Sequence, residues 1–225
     1  MINLKVNGID VAVDRGTTLL EAAQFLGLPI PTLCHMEGLT PYGACRLCVV
    51  EIGEAPNSRL VTSCTYPAEE GLVMRTASAR VVRARKIIVE LLLASCPQSK
   101  TIQDIAAALD VRQQRFRQEN EDCILCGRCV RMCSEQMMAG AIGFTGRGQG
   151  RAIGTPFDAT SEVCRLCGGC IYVCPACELR CTFSEPDKAI CGGCANLGPP
   201  CVEKPQFDDM MCYMQPCVAC EIKED

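Results

Sequence analysis

The sequence predicts an α+β chain of four segments, and three observations carry that prediction. Near the start, Ile2, Leu4 and Val6 alternate with polar residues, as do Ile9, Val11 and Val13, with Asn7-Gly8 between the runs. From about Ala79 the pattern turns helical. Beyond residue 118, Cys123, Cys126, Cys129 and Cys133 are echoed by Cys164, Cys167, Cys170 and Cys174, two C-x2-C-x2-C-x3-C quartets with 30 residues between them.

Residues 1–76 read as a small domain. Alternation has the period of a half-buried strand, and Asn-Gly between two such runs is a two-residue hairpin signal. Thr17 or Thr18 can cap a helix through Leu19, Leu20, Ala23 and Leu26 that Gly27 ends. Val49-Val50-Glu51-Ile52, Leu60-Val61-Thr62 and Leu72-Val73-Met74 supply further short strands. Hairpin, helix and later strands together suggest a β-grasp ferredoxin fold. Cys34, Cys45, Cys48 and Cys64 follow a C-x10-C-x2-C-x15-C pattern, with a wider first gap than the C-x4-C-x2-C of plant-type ferredoxins. Gly43 and Ala44, being small, let backbone amides approach sulfur. His35 is the single histidine. A Rieske centre needs two, so His35 is expected to be an exposed or hydrogen-bonded neighbour.

Residues 77–118 form a helical linker. Ser78 can cap a helix to about Ala94 whose first half carries Arg80, Arg83, Arg85 and Lys86, expected on a solvated face. Its second half, Ile87 to Leu93, is apolar on nearly every side, the pattern of a buried helix. Thr101 and Asp104 resemble a capping box opening a second helix. Cys96 stands apart and is expected to be structural.

Residues 119–176 carry the duplicated quartet, the ligand run of a bacterial 2[4Fe–4S] ferredoxin. In that arrangement the fourth cysteine crosses over. Cys123, Cys126, Cys129 and Cys174 are expected to hold one [4Fe–4S] cluster, and Cys164, Cys167, Cys170 and Cys133 the other. A short strand is expected at Ala141-Ile142-Gly143-Phe144 and a turn from Gly146 to Gly150. Residues 177–225 form an irregular tail with Cys177, Cys181, Cys191, Cys194, Cys201, Cys212, Cys217 and Cys220. It has too little apolar material for its own core. Eight thiolates suit two four-ligand sites, and both zinc and [4Fe–4S] accept them. The neighbouring quartets favour at least one further cluster.

Composition narrows the function. The chain has 225 residues, 21 of them cysteine, and a formal net charge of −4. Cysteines three apart in runs bring thiolates to one point, as clusters require and disulfides do not. Met1 leads straight into the first strand without a basic or apolar leader, so a reducing cytoplasm is expected. No basic excess suggests nucleic acid, and no apolar run reaches the roughly 18 residues of a membrane span. Histidine acid–base catalysis has almost nothing to use. Gly146, Gly148 and Gly150 lack the spacing of a dinucleotide fingerprint, so no flavin or nucleotide is expected on this chain. Arg147 and Arg151 are expected in a solvated loop.

Pro31-Thr32-Leu33-Cys34, Tyr42-Gly43-Ala44-Cys45-Arg46-Leu47-Cys48 and Val61-Thr62-Ser63-Cys64, followed by the double quartet, resemble the N-terminal iron–sulfur module of the complex I large subunit. The same module occurs in [FeFe]-hydrogenases and in the diaphorase part of NAD-reducing hydrogenases. The resemblance covers residues 1–176. It implies a [2Fe–2S] cluster on Cys34, Cys45, Cys48 and Cys64, then two [4Fe–4S] clusters, and a flavoprotein partner that exchanges electrons with NAD(H) or NADP(H). Two departures matter. Members often carry a [4Fe–4S] site held by one histidine and three cysteines. Here that stretch is Ala94-Ser95-Cys96-Pro97-Gln98-Ser99-Lys100, with one cysteine and no histidine, so that cluster is expected to be absent. The cysteine-dense tail is the second departure.

The expected function is therefore electron transfer within a cytoplasmic hetero-oligomeric oxidoreductase, electron-bifurcating complexes included. The chain would link an NAD(P)H-dependent flavoprotein to a second redox subunit, with no catalytic residue of its own. Two competitors remain: a substrate-binding cluster in the tail, or a tail that is a zinc docking element.

Overall fold

The computed structural model describes residues 1–112, 115–117, 123–159 and 161–176. Strand β1 (Ile2–Val6) pairs antiparallel with β2 (Ile9–Val13), Val6 facing Ile9. Asn7 and Gly8 both have positive φ, 51° and 88°, as the tightest hairpin turn demands. Three more strands complete a mixed sheet in the order β2-β1-β5-β3-β4: β3 (Val49–Ile52), β4 (Arg59–Thr62) and β5 (Val73–Arg75). β5 runs parallel to β1 and antiparallel to β3.

Helix α1 (Leu19–Phe25) buries Leu19, Leu20, Ala22 and Ala23 against the sheet, on Leu4, Val6, Val11, Val13, Val50, Ile52 and Met74. Its cap is Thr18, not Thr17. Glu21 N–H donates to Thr18 Oγ1 at 3.3 Å while Glu21 Oε2 accepts from Thr18 N–H at 2.6 Å, a reciprocal capping box. Sheet plus crossing helix is the β-grasp arrangement that the strand pattern predicts.

Helix α2 (Ala79–Ser95) starts at Ser78, whose hydroxyl accepts from Val81 N–H. Its surroundings differ from expectation on both halves. Arg85 is buried rather than solvated, and its Nη2 donates to Val49 O at 2.7 Å. In the apolar half Val89 and Ala94 are buried, but Ile87 and Leu91 are 45% and 48% exposed. Helix α3 (Lys100–Ala108) is capped by Ser99, not opened by Thr101. Ile102 N–H donates to Ser99 Oγ at 3.4 Å, and Ser99 Oγ donates to Pro175 O at 2.7 Å. That tertiary bond fixes the first turn, and Asp104 pairs instead with Lys100 at 2.7 Å.

Beyond residue 122, α4 (Arg128–Arg131) runs into a π-helical turn, Met132–Gln136. β6 (Gly143–Thr145) and β7 (Ala152–Gly154) form a small hairpin, and α5 (Gly169–Tyr172) packs on α4. β7 has no alternating pattern and was not legible in the sequence. A second core joins all three described segments. It contains Leu33, Cys34, Cys45 and Leu47 from the sheet domain, Val89, Ile102 and Ala106 from α2 and α3, and Cys126 and Ala176 from the last segment. Cys96 is buried within it, as a structural residue would be. Among the described residues no helix is long and apolar enough to cross a membrane.

Candidate metal centre

The loop between α1 and β3 carries Cys34, Cys45 and Cys48, and the turn after β4 carries Cys64. All four are buried, and none forms a disulfide. They touch. A hydrogen bond from the Cys45 thiol, helped by one from Cys64, drives Cys34 down to about 2, while donating to Cys34 pushes Cys45 up. The Cys64 thiol likewise lowers Cys48 to about 6, and Cys64 itself is raised by its bonds to Cys34 and Cys48. Four sulfurs crowded this way favour thiolate wherever a positive centre can replace the shared protons.

Backbone amides aim at the same sulfurs. Cys34 N–H donates to Cys45 Sγ at 3.4 Å, the amides of Cys45 and Ala44 reach Cys34, and that of Leu47 reaches Cys45. The Ala44 amide thus reaches sulfur, as its small size suggested. Gly43 lies at φ 69°, where a Cβ would stand 3.2 Å from Thr65 Cγ2. Arg46, between Cys45 and Cys48, is itself left-handed at φ 61°.

The same backbone device recurs in the double quartet. Leu125 and Gly127 have φ of 51° and 69°, and Leu166 and Gly168, in the same places of the second quartet, have 50° and 69°. Leucine is seldom held left-handed, and such positions concentrate at functional sites. The turn sends Leu125 N–H to Cys123 Sγ at 3.4 Å. Burial pushes Cys126 up to about 11, the Arg128 amide opposing it and the charge on Cys174 adding to it. Cys129 is raised by burial and then by Cys174, Cys126 and Cys123, in that order. Cys174 therefore lies beside Cys126 and Cys129 of the first run.

Cys133, Cys164, Cys167 and Cys170 are half-buried. Ala141 N–H donates to Cys133 Sγ at 3.2 Å. A Cβ on Gly169 would stand 3.3 Å from Met132 Cγ and 3.7 Å from Cys167 Sγ, so the second run meets the residue preceding Cys133 there. Cys177, Cys181, Cys191, Cys194, Cys201, Cys212, Cys217 and Cys220 lie outside the described residues. Among the described residues no three Cys, His, Asp or Glu side chains close on a single metal-ion position. All-thiol groups with amides aimed at sulfur suit clusters, whose ligands surround several irons.

Sequence reading missed the residues that join the two thiol groups. Arg131 is buried, with Nη2 donating to Cys34 O at 2.6 Å and to Cys126 O at 3.4 Å, Nη1 to Thr40 O at 2.5 Å and Nε to Gly127 O at 3.2 Å. Arg128 Nη2 donates to His35 O at 2.6 Å. Tyr42 stacks on Phe144 at 5.9 Å, and Arg151, exposed as expected, lies 4.0 Å over the Phe144 ring and donates to Tyr42 Oη at 3.1 Å. Thr40 N–H donates to Glu135 Oε2 at 2.7 Å. His35 is half-buried; its carbonyl takes the Arg128 bond, and its Nδ1 has no hydrogen-bond partner. The available signal was an arginine at the same interval after two successive quartet cysteines, Arg128 after Cys126 and Arg131 after Cys129.

Comparison with known proteins identifies two iron–sulfur domain types in the same order along the chain. Residues 1–79 match the family described as a 2Fe-2S iron-sulfur cluster binding domain, and residues 122–178 match the 4Fe-4S dicluster domain. The chain is 32% identical over 180 residues to the NADPH-Fe(3+) oxidoreductase subunit alpha of Geobacter sulfurreducens, covering 69% of this chain and 21% of that one. It is 32% identical over 181 residues to the mitochondrial NADH-ubiquinone oxidoreductase 78 kDa subunit of Neurospora crassa, covering 68% and 24%. It thus spans about a quarter of these relatives or less. A solved NAD+-reducing [NiFe]-hydrogenase superposes with a TM-score of 0.61 at 29% identity, over 68% of this chain and 74% of the other. In sequence and fold, the chain carries a 2Fe-2S domain followed by a 4Fe-4S dicluster domain and resembles the N-terminal iron–sulfur module of the complex I large subunit and of NAD-reducing hydrogenases.

Proposed function

We propose that this chain is an iron–sulfur electron-transfer subunit that relays electrons between an NAD(P)H-linked flavoprotein and a second redox subunit. Its ligand sets would be Cys34, Cys45, Cys48 and Cys64 for [2Fe–2S], Cys123, Cys126, Cys129 and Cys174 for one [4Fe–4S] cluster, and Cys133, Cys164, Cys167 and Cys170 for the other. The observation that carries this reading is the shared core in which Cys34 and Cys45 of the first set pack with Cys126 of the second. Bound clusters supply one-electron carriers. The chain's residues hold the thiolates, exclude water from the first set, donate amide hydrogen bonds to sulfur and fix the spacing between sets. Rigid ligands suit the task, because an electron carrier should reorganise little. The partners follow from what the relatives are named for, NADPH, NADH and NAD+ chemistry. Bifurcation belongs to the same proposal as one form of the complex.

In the tail we propose at least one further [4Fe–4S] cluster. Anaerobic iron, sulfide and zinc analysis with electron paramagnetic resonance after dithionite tests the whole reading. Three clusters need about ten irons, and one or two more need about 14 or 18. About ten irons with zinc present would make the tail a zinc docking element. About two irons would end the double-cluster assignment.

A further inference from the structure

Arg131 is only 8% exposed, yet among the described residues no carboxylate pairs with it. A buried, uncompensated guanidinium is costly, so buried charges are ordinarily paired. Its donors end on four carbonyls, of Cys34, Thr40, Cys126 and Gly127. Two of those belong to thiol-bearing residues of different groups, and the fork spans from one to the other. Tyr42, whose ring centroid lies 5.7 Å from the guanidinium carbon, shields it on one side. Thiol-bearing residues surround it: Cys34 and Cys126 meet its fork through their carbonyls, and Cys129 and Cys133 stand two residues away on its own segment. We propose that Arg131 is the shared counter-ion and positioning residue of the junction: one buried charge stabilises the reduced state of both groups, and one fork sets their separation.

This inference rests on the ligand sets proposed above, and the iron count of the unaltered chain tests those separately. The experiment is a redox titration of the full-length protein followed by electron paramagnetic resonance, comparing it with Arg131→Gln and Arg131→Lys at equal iron content. Removing a positive charge disfavours adding an electron. R131Q should therefore lower both the [2Fe–2S] potential and that of one [4Fe–4S] cluster, about tenfold in the reduction equilibrium or ~59 mV for a one-electron couple. R131K keeps the charge and should hold both potentials. Its shorter, single ammonium cannot span four carbonyls, so the spin–spin splitting between the two reduced groups should change. Unmoved potentials in R131Q, or a shift in one group alone, would overturn the proposal. Equal shifts in R131K and R131Q would overturn it too. If R131Q fails to retain iron, R131K decides: altered splitting with held potentials supports the proposal, and unaltered splitting overturns it.

Discussion

Single residues here are held in unusual conformations for identifiable reasons. Leu125 accepts left-handed φ where the turn aims its amide at sulfur, 3.4 Å from Cys123 Sγ, and Leu166 repeats the angle at the same place in the second quartet. Phe157 is left-handed at φ 59° and fully exposed, with no such return visible. Phe157→Asn should therefore stabilise by about 0.5–1 kcal/mol, since asparagine tolerates that region and no burial is lost. Thermal unfolding should rise by about 1–4 °C, and a fall would mean that the ring packs against something. Gly146 is the opposite case. At φ 68°, a Cβ would stand 2.1 Å from Gly150 O, which is backbone and cannot step aside. Gly146→Ala should cost about 2–3 kcal/mol and unpair β6 from β7, to be read by hydrogen exchange at Phe144 and Thr145. Glu70 accepts from Asn3 N–H at 2.9 Å and Nδ2 at 3.1 Å, which holds its carboxyl below the usual range. A folded pKa below the unfolded one means its stabilisation is present above the ordinary carboxylate pKa and lost as pH falls through the folded value. Glu70→Gln should flatten stability against pH in that acid range alone.

Among the elements, α2 and α3 are the least autonomous. α3 has nine residues, too few to persist alone in water. Its start is fixed by Ser99, which caps it and reaches Pro175, next to Cys174. Ser99→Ala removes the cap and leaves a buried carbonyl without its donor, so about 1–3 kcal/mol should be lost. The loss should be local, with faster exchange at Ile102 and Gln103 and slow exchange kept in β1 and β3. Uniform loss across the chain would show that α3 does not unfold by itself. Just before α3, Cys96 is buried in the second core and Ser99 is bonded across it. Packing and one hydrogen bond join the segments at that point.

At the scale of the whole molecule, prospective ligands are also core residues. Cys34, Cys45 and Cys126 belong to the core that joins the three described segments. Removing iron should therefore weaken the junction as well as the sites, because the ligands' binding free energy is partly folding free energy. Chelation under reducing conditions should expose α2 and α3 to proteolysis while the sheet, with its separate core around Leu4, Leu20 and Val50, survives. Equal resistance before and after chelation would count against clusters at these positions. The sequence by itself determined the hairpin, α1, the strands β3 to β5 and the cysteine groups, because strand period, turn chemistry and ligand spacing are local. Tertiary structure alone decided the cap of α3, the burial of Arg85, the pairing of β7 and the placing of Arg131. Each depends on a partner far along the chain: Pro175 for Ser99, Val49 for Arg85, Cys34 for Arg131. Local patterns specify which elements form and where the cysteines recur. Contacts between residues up to 109 positions apart, as between Tyr42 and Arg151, and 97 apart, as between Cys34 and Arg131, specify how the two thiol groups are held together.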